Sequence, residues 1–339
     1  MRAVKHTGVN QVSVVDVPDP EPGPNQAVVD MRISGLCASD LHMVRREAGK
    51  MPDVAKGHEP CGVVSAVGDG VENVAVGDRV TLYHYQSCGH CERCREGNWM
   101  WCSEIRAFGW HAGGSHADRI LTDARNCMPL PDALSFEDGA FMACGAGTTW
   151  SALRKIRPCG EDIVEVVGLG PLGLVGVAFC KAFGAEVVAV GRRAARIEAA
   201  GKMGADRVID IDADDDPAAT VRTHYPRGVD KAYETSGSAA GQRAMLAALR
   251  RGGSAVCVGL GSKEPAINFG RLTSGQYAIH GSFVMNAGEY DNLARFMVRH
   301  GIDLRPLVTH RYSIEQAQEA YDMAREGNCA KVVFDWTGG

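Results

Sequence analysis

Four cysteines stand close together at Cys88, Cys91, Cys94 and Cys102, in the stretch SCGHCERCREGNWMWC. The spacing C-x2-C-x2-C-x7-C keeps four thiols within one loop's reach of a single centre. Four thiolates at the corners of a tetrahedron, each about 2.3 Å from the ion, are what a structural Zn²⁺ requires, and such a site leaves no open position. The residues between them, Gly89, Glu92, Arg93, Arg95 and Gly97, are polar or flexible, as a loop wrapped round an ion must be. The competing reading is a pair of disulfides or four unrelated core thiols. A cofactor signature of intracellular type lies further along the chain, and thiols in a reducing compartment stay reduced, so a zinc lobe is expected. By itself the lobe says only that a segment is stapled by metal.

The cofactor signature is Gly168-Leu169-Gly170-Pro171-Leu172-Gly173, a G-x-G-x-x-G directly after the apolar run Ile163–Val167 and directly before a helical pattern. In that strand–turn–helix context Gly168 allows the tight turn, Gly170 lets backbone approach a pyrophosphate, and Gly173 lets helix and strand pack closely. The helix N-terminus offers free N–H groups and partial positive charge to the phosphates. The next strand, AEVVAV, ends in Gly191-Arg192-Arg193, with Arg196 one turn on. An NAD site places Asp or Glu there for the ribose 2′-hydroxyl. Here no carboxylate repels a 2′-phosphate and guanidinium forks suit its oxygens, so NADP(H) is favoured over NAD(H). A solvated helix start is the plainer reading of the same arginines.

The elements that must hold these motifs follow from texture. At 339 residues the chain is long enough for two domains, and its 45% hydrophobic and 23% charged content is globular. A net charge of −5 gives no electrostatic case for nucleic acid or membrane binding. The start, MRAVKHTGVNQVSVVDVPDPEPG, lacks an apolar core of signal-peptide length, and no apolar run approaches a membrane span, so a cytoplasmic protein is expected. QAVVDMRISG, CGVVSAVG and DRVTLY are short, Val-rich and cut by turns, reading as β-rich. From Glu161 about six strand-like runs alternate with helical ones, including the helical AAGQRAMLAALR, the pattern of a doubly wound parallel sheet. After Val284 come helices over Tyr290–His300 and Ile314–Glu326 and a closing strand, AKVVFDW. The acidic run Asp212–Asp216 reads as a solvated loop. The expected division is 1–146, 147–283 and 284–339, the last segment returning to the first domain.

A third group of residues lies in ISGLCASDLH and GHE, where Cys37, Ser39, Asp40 and His42 precede His58 and Glu59. With the turn Val76–Val80, the cysteine lobe and the glycine motif, in this order and over essentially the whole chain, they resemble the zinc-dependent medium-chain alcohol dehydrogenases. The resemblance implies a GroES-like β-rich catalytic domain followed by a Rossmann domain. It also implies a catalytic zinc held by Cys37, His58 and Cys144, with the fourth position open for water or the substrate oxygen. Such an ion polarises a carbonyl or stabilises an alkoxide near neutral pH. In the same family pattern Asp40 fixes the His58 ring, and Glu59 is a nearby carboxylate that approaches the metal during ligand exchange. Ser39 and His42 match a proton relay that exports the alcohol proton through the nicotinamide ribose to solvent. Thr148 matches a residue lining the nicotinamide, and Val258, Gly259 and Leu260 match the backbone facing its carboxamide. Lys331 is either a pyrophosphate contact or a solvated side chain. Some polyol-oxidising relatives use a carboxylate as third metal ligand, and Cys144 departs from that pattern.

His84 and Trp110 fall at or near positions lining the substrate pocket in relatives, as do Phe141 and Met142; each is equally readable as packing. His84 with Tyr85 makes that pocket more polar than a hydrocarbon slot, pointing to a hydroxylated or aromatic alcohol. Six cysteines remain, Cys61, Cys127, Cys159, Cys180, Cys257 and Cys329, most of them among apolar neighbours and read as packing. The expected protein is an NADP(H)-dependent alcohol dehydrogenase or ketone reductase with two zinc ions per chain, a small-molecule substrate, and a homodimeric or homotetrameric assembly. Its rivals are an NAD-dependent polyol or sugar dehydrogenase of the same fold and, from another class, a zinc-free quinone reductase or non-catalytic NADPH-binding protein.

Overall fold

A computed structural model describes residues 1–50, 52–261 and 267–338. By its contacts the chain divides into two units, one of residues 1–147 with 285–339 and one of residues 148–284.

The first unit is built on strand Gln26–Leu36, whose eleven residues are largely buried. Antiparallel neighbours flank it: Glu59–Val67 on one side, Lys331–Asp335 on the other, with Arg119–Asp123 pairing its first half. Arg79–Leu82 and Cys127–Pro129 extend the sheet beyond Glu59–Val67, and Val308–Tyr312 extends it beyond Lys331–Asp335. Two registers matter for chemistry: Gly35 pairs with Glu59 and with Val333 on its other side, and Leu36 pairs with Val332. The carboxyl end of the central strand therefore meets the amino ends of two others. A cluster of Val29, Met31, Val64, Val80, Leu82, Phe108 and Ile120 fills one part of this unit.

The second unit is a six-stranded, all-parallel sheet in the order Arg207–Asp210, Glu186–Gly191, Ile163–Val167, Val229–Glu234, Leu249–Cys257, Ala278–Gly281. The order reverses between Ile163–Val167 and Val229–Glu234, and ligands bind at such a switch point, outside the carboxyl ends of the strands. The expected fold class, a GroES-like β-rich domain with a Rossmann sheet, is therefore present. Two local readings change. The helix starting at Ala239 stops at Ala248, because Leu249 enters the sheet opposite Val229. The acidic run is more than a solvated loop: Asp216 accepts a hydrogen bond from the Ala219 amide (3.0 Å) and caps helix Pro217–His224. Among the described residues no helix is long and apolar enough to cross a membrane.

One residue runs against the apolar logic of the parallel sheet. Glu165, at the centre of Ile163–Val167, is 1% exposed and stands between Val188 and Ala232 of the neighbouring strands. Its Oε2 has no hydrogen-bond partner, and burial alone pushes its carboxyl up to about 8. The unfolded chain binds less proton at this group than the folded one between its ordinary value of 4.5 and about 8, so the burden on stability grows as pH rises through that window. Glu165→Leu is expected to raise unfolding free energy at pH 8 by roughly 1–3 kcal/mol, and by less at pH 5. Denaturant melts at the two pH values check this; an equal gain at both would show that ionisation of Glu165 is not the cost.

Candidate active site

Cys37 follows the last residue of the central strand and is the N-cap of helix Ala38–Val44. His58 and Glu59 enter the adjacent strand, and Cys144 ends helix Phe136–Ala143. The ligand atoms of Cys37, His58, Glu59 and Cys144 all lie within 4.8 Å of one another. Asp40, 1% exposed, ties two of them together. Its Oδ2 accepts from the Cys37 amide at 2.9 Å, and its Oδ1 accepts from His58 Nδ1 at 2.8 Å. In the neutral ring Nδ1–H donates to Asp40 and the lone pair falls on Nε2, which lies 3.2 Å from Ser39 Oγ.

Charge inside this cluster is shared rather than absent. Burial opposes a charge on His58, but Asp40, followed by Cys37, carries its pKa well above the ordinary value. The hydrogen bond from Cys144, against the cost of burial and with His58 beside it, holds the Cys37 thiol well below its usual range. The same contact drives Cys144 well above. Two thiols and an imidazole whose second nitrogen is already bound form the donor set that Zn²⁺ takes, so the residues present fit that ion.

Glu59 is held from the opposite side. Its Oε2 is ion-paired with Lys331 Nζ, both side chains 1% exposed. Burial raises the Glu59 carboxyl to about 7 although Lys331 draws it down, and the carboxylate in turn keeps Lys331 charged against its own burial. Gly35 makes the pair possible: a Cβ there would stand 1.9 Å from Glu59 Oε2 and 2.9 Å from Lys331 Cε. Both readings offered for Lys331 are thereby corrected. It is neither solvated nor free to meet a pyrophosphate, because its strand lies against Leu36 and its ammonium is used inside the first unit.

Around His58 the structure gathers both expected pocket residues. The His84 ring centroid is 5.5 Å from that of His58, and Trp110 is 5.4 Å away. His84 donates from Nδ1 to the Ala143 carbonyl (2.6 Å) and burial pushes its pKa down to about 3, so it is a neutral polar wall. Phe141 and Met142 are buried, with Lys331 Nζ 5.4 Å above the Phe141 ring. His42 is exposed, three residues from Ser39 on the same helical face.

The four-cysteine lobe is closed. Cys88, Cys91, Cys94 and Cys102 place their sulfurs within 4.8 Å of one another, with Sγ–Sγ distances of 3.8 Å (Cys88–Cys94) and 3.4 Å (Cys91–Cys94). Tetrahedral Zn–S bonds require sulfurs about 3.8 Å apart, so the lobe fits the ion too. The amides of Cys88 and Glu104 donate to Cys102 Sγ, each at 3.4 Å. Of the six cysteines read as packing, Cys159 is exposed.

In the second unit the glycine turn divides its labour by space. Gly168 has φ +94° and a Cβ there would meet the Ser236 amide at 2.7 Å; a Cβ at Gly173 would stand 1.8 Å from the Gly168 carbonyl. Gly170 has nothing within 4 Å and is the N-cap of helix Pro171–Ala182, with Pro171 and Leu172 as its first residues, leaving its backbone open to a ligand. Gly191 has a duty unseen in the sequence: a Cβ would lie 2.5 Å from Leu169, so the strand end must be Gly for packing as well as for room. Arg192 and Arg193 are exposed, Arg193 at φ +80°, and Arg196 is half-buried. Val258 is buried, Leu260 is 76% exposed, and Thr148 is buried in helix Gly145–Ile156. Glu234 is a residue the sequence reading missed. It is fully buried and accepts from Ser236 Oγ (2.5 Å) and the Gly237 amide (2.9 Å). Its own carbonyl receives the Val258 amide, so it braces two loops at the carboxyl edge of the sheet. A Glu ending a strand before T-S-G was its only signal.

Residues 23–132 match the alcohol dehydrogenase GroES-like domain, and residues 171–299 match the zinc-binding dehydrogenase domain. The uncharacterised zinc-type alcohol dehydrogenase-like protein YphC of Escherichia coli is 34% identical over 99% of both chains. The chain belongs to the zinc-dependent medium-chain dehydrogenase family. Sorbitol dehydrogenase of Bacillus subtilis is 31% identical over 98% of this chain and 96% of its own. The crystal structure of an NAD-dependent alcohol dehydrogenase superposes with a TM-score of 0.89, at 28% identity and 99% coverage of both chains. In this dehydrogenase the Glu59–Lys331 pair is open to test. Lys331→Met is expected to cost roughly 3–5 kcal/mol, the penalty of stranding a buried charge, and to cost more as pH rises above the ordinary Glu range. Glu59→Gln/Lys331→Met should recover part of that loss in denaturant melts; additive losses would dissolve the pair.

Proposed function

We propose that this dehydrogenase interconverts an alcohol and its ketone or aldehyde with NADP(H), holding two zinc ions per chain and working as a cytoplasmic homodimer or homotetramer. The observation that carries the reading is the convergence of Cys37, His58 and Cys144 beside Ser39. When bound, zinc supplies Lewis acidity at the substrate oxygen and the nicotinamide takes or gives the hydride. Cys37, His58 and Cys144 would hold the catalytic ion, and Asp40 keeps the His58 ring turned toward it. Ser39 Oγ is the group that would take the substrate proton, and exposed His42 would pass it to solvent. His84 and Trp110 wall the site. The glycine turn would receive the pyrophosphate, with Thr148 and residues 258–260 toward the nicotinamide. Exposed Phe269 and Phe283, in segments flanking the edge strand Ala278–Gly281, support self-association.

The three metal donors speak against a zinc-free quinone reductase or a non-catalytic NADPH-binding protein. The NAD-dependent polyol or sugar dehydrogenase stays as a second reading, favoured by the likeness to sorbitol dehydrogenase and by the name of the superposed NAD-dependent enzyme.

Metal analysis of the purified chain is expected to give two zinc ions. Cys94→Ser should lower stability, since a closed lobe couples metal to folding, while Cys37→Ser should remove one zinc and the activity and leave the fold. One zinc or none in protein never exposed to chelator would overturn the two-site reading.

Cofactor choice rests on Arg192 and Arg193, exposed at a strand end without a carboxylate. Charge-assisted hydrogen bonds of this kind give about a tenfold to hundredfold preference. The kcat/KM for NADP⁺ should exceed that for NAD⁺ by that factor, and Arg193→Ala should lower the former far more than the latter. Gly191→Asp is the poorer test, because its side chain would also collide with Leu169. A wild-type preference for NAD⁺ would return the arginines to a solvated surface and promote the polyol reading.

A further inference from the structure

The amino ends of the parallel strands, opposite the edge that carries the glycine turn, enclose a cavity of about 830 Å³. Ile163, Asp230, Arg250 and Arg251 line it from the starts of three strands, and Tyr225 and Arg227 from the chain leaving helix Pro217–His224. Arg222, His224 and Tyr277 add further side chains to the wall. Four arginines against a single aspartate is an unusual balance on a chain of net charge −5.

Two of the four arginines have evident structural work. Arg222 donates from Nε to the Ala247 carbonyl (3.1 Å) and from Nη2 to that of Leu249 (3.0 Å), closing the last turn of helix Ala239–Ala248. Arg250 donates from Nε to Asp230 Oδ1 at 2.5 Å, while Asp230 Oδ2 accepts the Ile163 amide at 2.9 Å. The aspartate is thereby fully engaged. Arg227 and Arg251 are left exposed on the wall of a concave space, and their guanidinium groups have no hydrogen bond or ion pair among the described residues, although the Arg251 carbonyl accepts from Arg250 Nη1 at 3.0 Å. The volume is that of a small-metabolite site, and Tyr225 and Tyr277 add aromatic surface beside the charge.

We infer that this cavity is a binding site for a phosphorylated small molecule, its phosphate groups taken by Arg227 and Arg251. Guanidinium forks match phosphate oxygens in pairs, and two of them without a protein counter-charge recognise a multiply charged anion better than a single carboxylate. The site shares no residue with the glycine turn or the metal cluster, and it does not depend on the proposed reaction.

The test is calorimetric titration of the full chain with sodium pyrophosphate at constant ionic strength. Saturating dinucleotide is present, so that the glycine turn is already filled. Saturable one-site binding is expected. Arg227→Gln/Arg251→Gln should weaken it at least about tenfold, the loss of one or more charge-assisted hydrogen bonds, whereas Arg299→Gln, at an exposed arginine of the first unit, should leave it unchanged. Three results would each overturn the assignment: heats no larger than those of sodium chloride, undiminished binding by the double variant, or citrate binding as tightly as pyrophosphate.

Discussion

The carboxylate of Asp40 is the point on which the metal cluster turns. One oxygen holds the Cys37 amide and the other the His58 Nδ1–H, so a single buried charge sets both the start of a helix and the direction of an imidazole. Without it the Cys37 backbone would lose its cap and His58 could turn its other nitrogen away from the thiols. The strands around it contribute by register. Leu36 beside Val332 and Gly35 beside Glu59 bring three chain segments, widely separated in sequence, to one end of one sheet. Buried charges are costly unless partnered, and here they are partnered in sequence: Asp40 with His58, His58 with Cys37, Glu59 with Lys331.

The second unit solves a different problem. The two inner strands Ile163–Val167 and Glu186–Gly191 of its sheet are largely buried and Val-rich, so open backbone is found at the strand ends. Three glycines share that work under different constraints. Gly168 and Gly173 are fixed by near contacts with protein, while Gly170 is fixed by the space it leaves. Glu234 and Thr235 then tie the neighbouring loops, Thr235 Oγ1 donating to the Gly168 carbonyl at 2.7 Å.

Much of this was legible in the sequence because the informative residues lie close together along it. Four cysteines within fifteen positions and a glycine turn between a strand and a helix are local patterns readable from spacing, and Cys37-x-Ser39-Asp40 was readable through the family resemblance. What escaped was set by distant partners. Lys331 reads as a surface lysine until its strand is seen beside Leu36, where Glu59, 272 positions away, claims its charge. Gly191 reads as room for a phosphate, yet its first neighbour is Leu169. Glu165 reads as one polar residue in a Val-rich strand, and only the flanking strands show its Oε2 buried without a hydrogen-bond partner. Periodicity also misplaced the end of the helix at Ala248, since Leu and Arg suit a helix as well as a strand and sheet pairing decided between them.

The strand Lys331–Asp335 carries a consequence for how the protein is made. It is translated after the whole of residues 148–284, yet it fills the place beside the oldest part of the first sheet. While the ribosome is still producing the second unit, the Ile33–Leu36 end of the central strand lacks the partner that Lys331–Asp335 will supply, and Glu59 sits opposite Gly35 without its cation. That end of the first sheet must therefore wait until residues 331–335 have been made. Chaperone demand and the danger of mispairing should both be concentrated in that interval rather than spread over the life of the nascent chain.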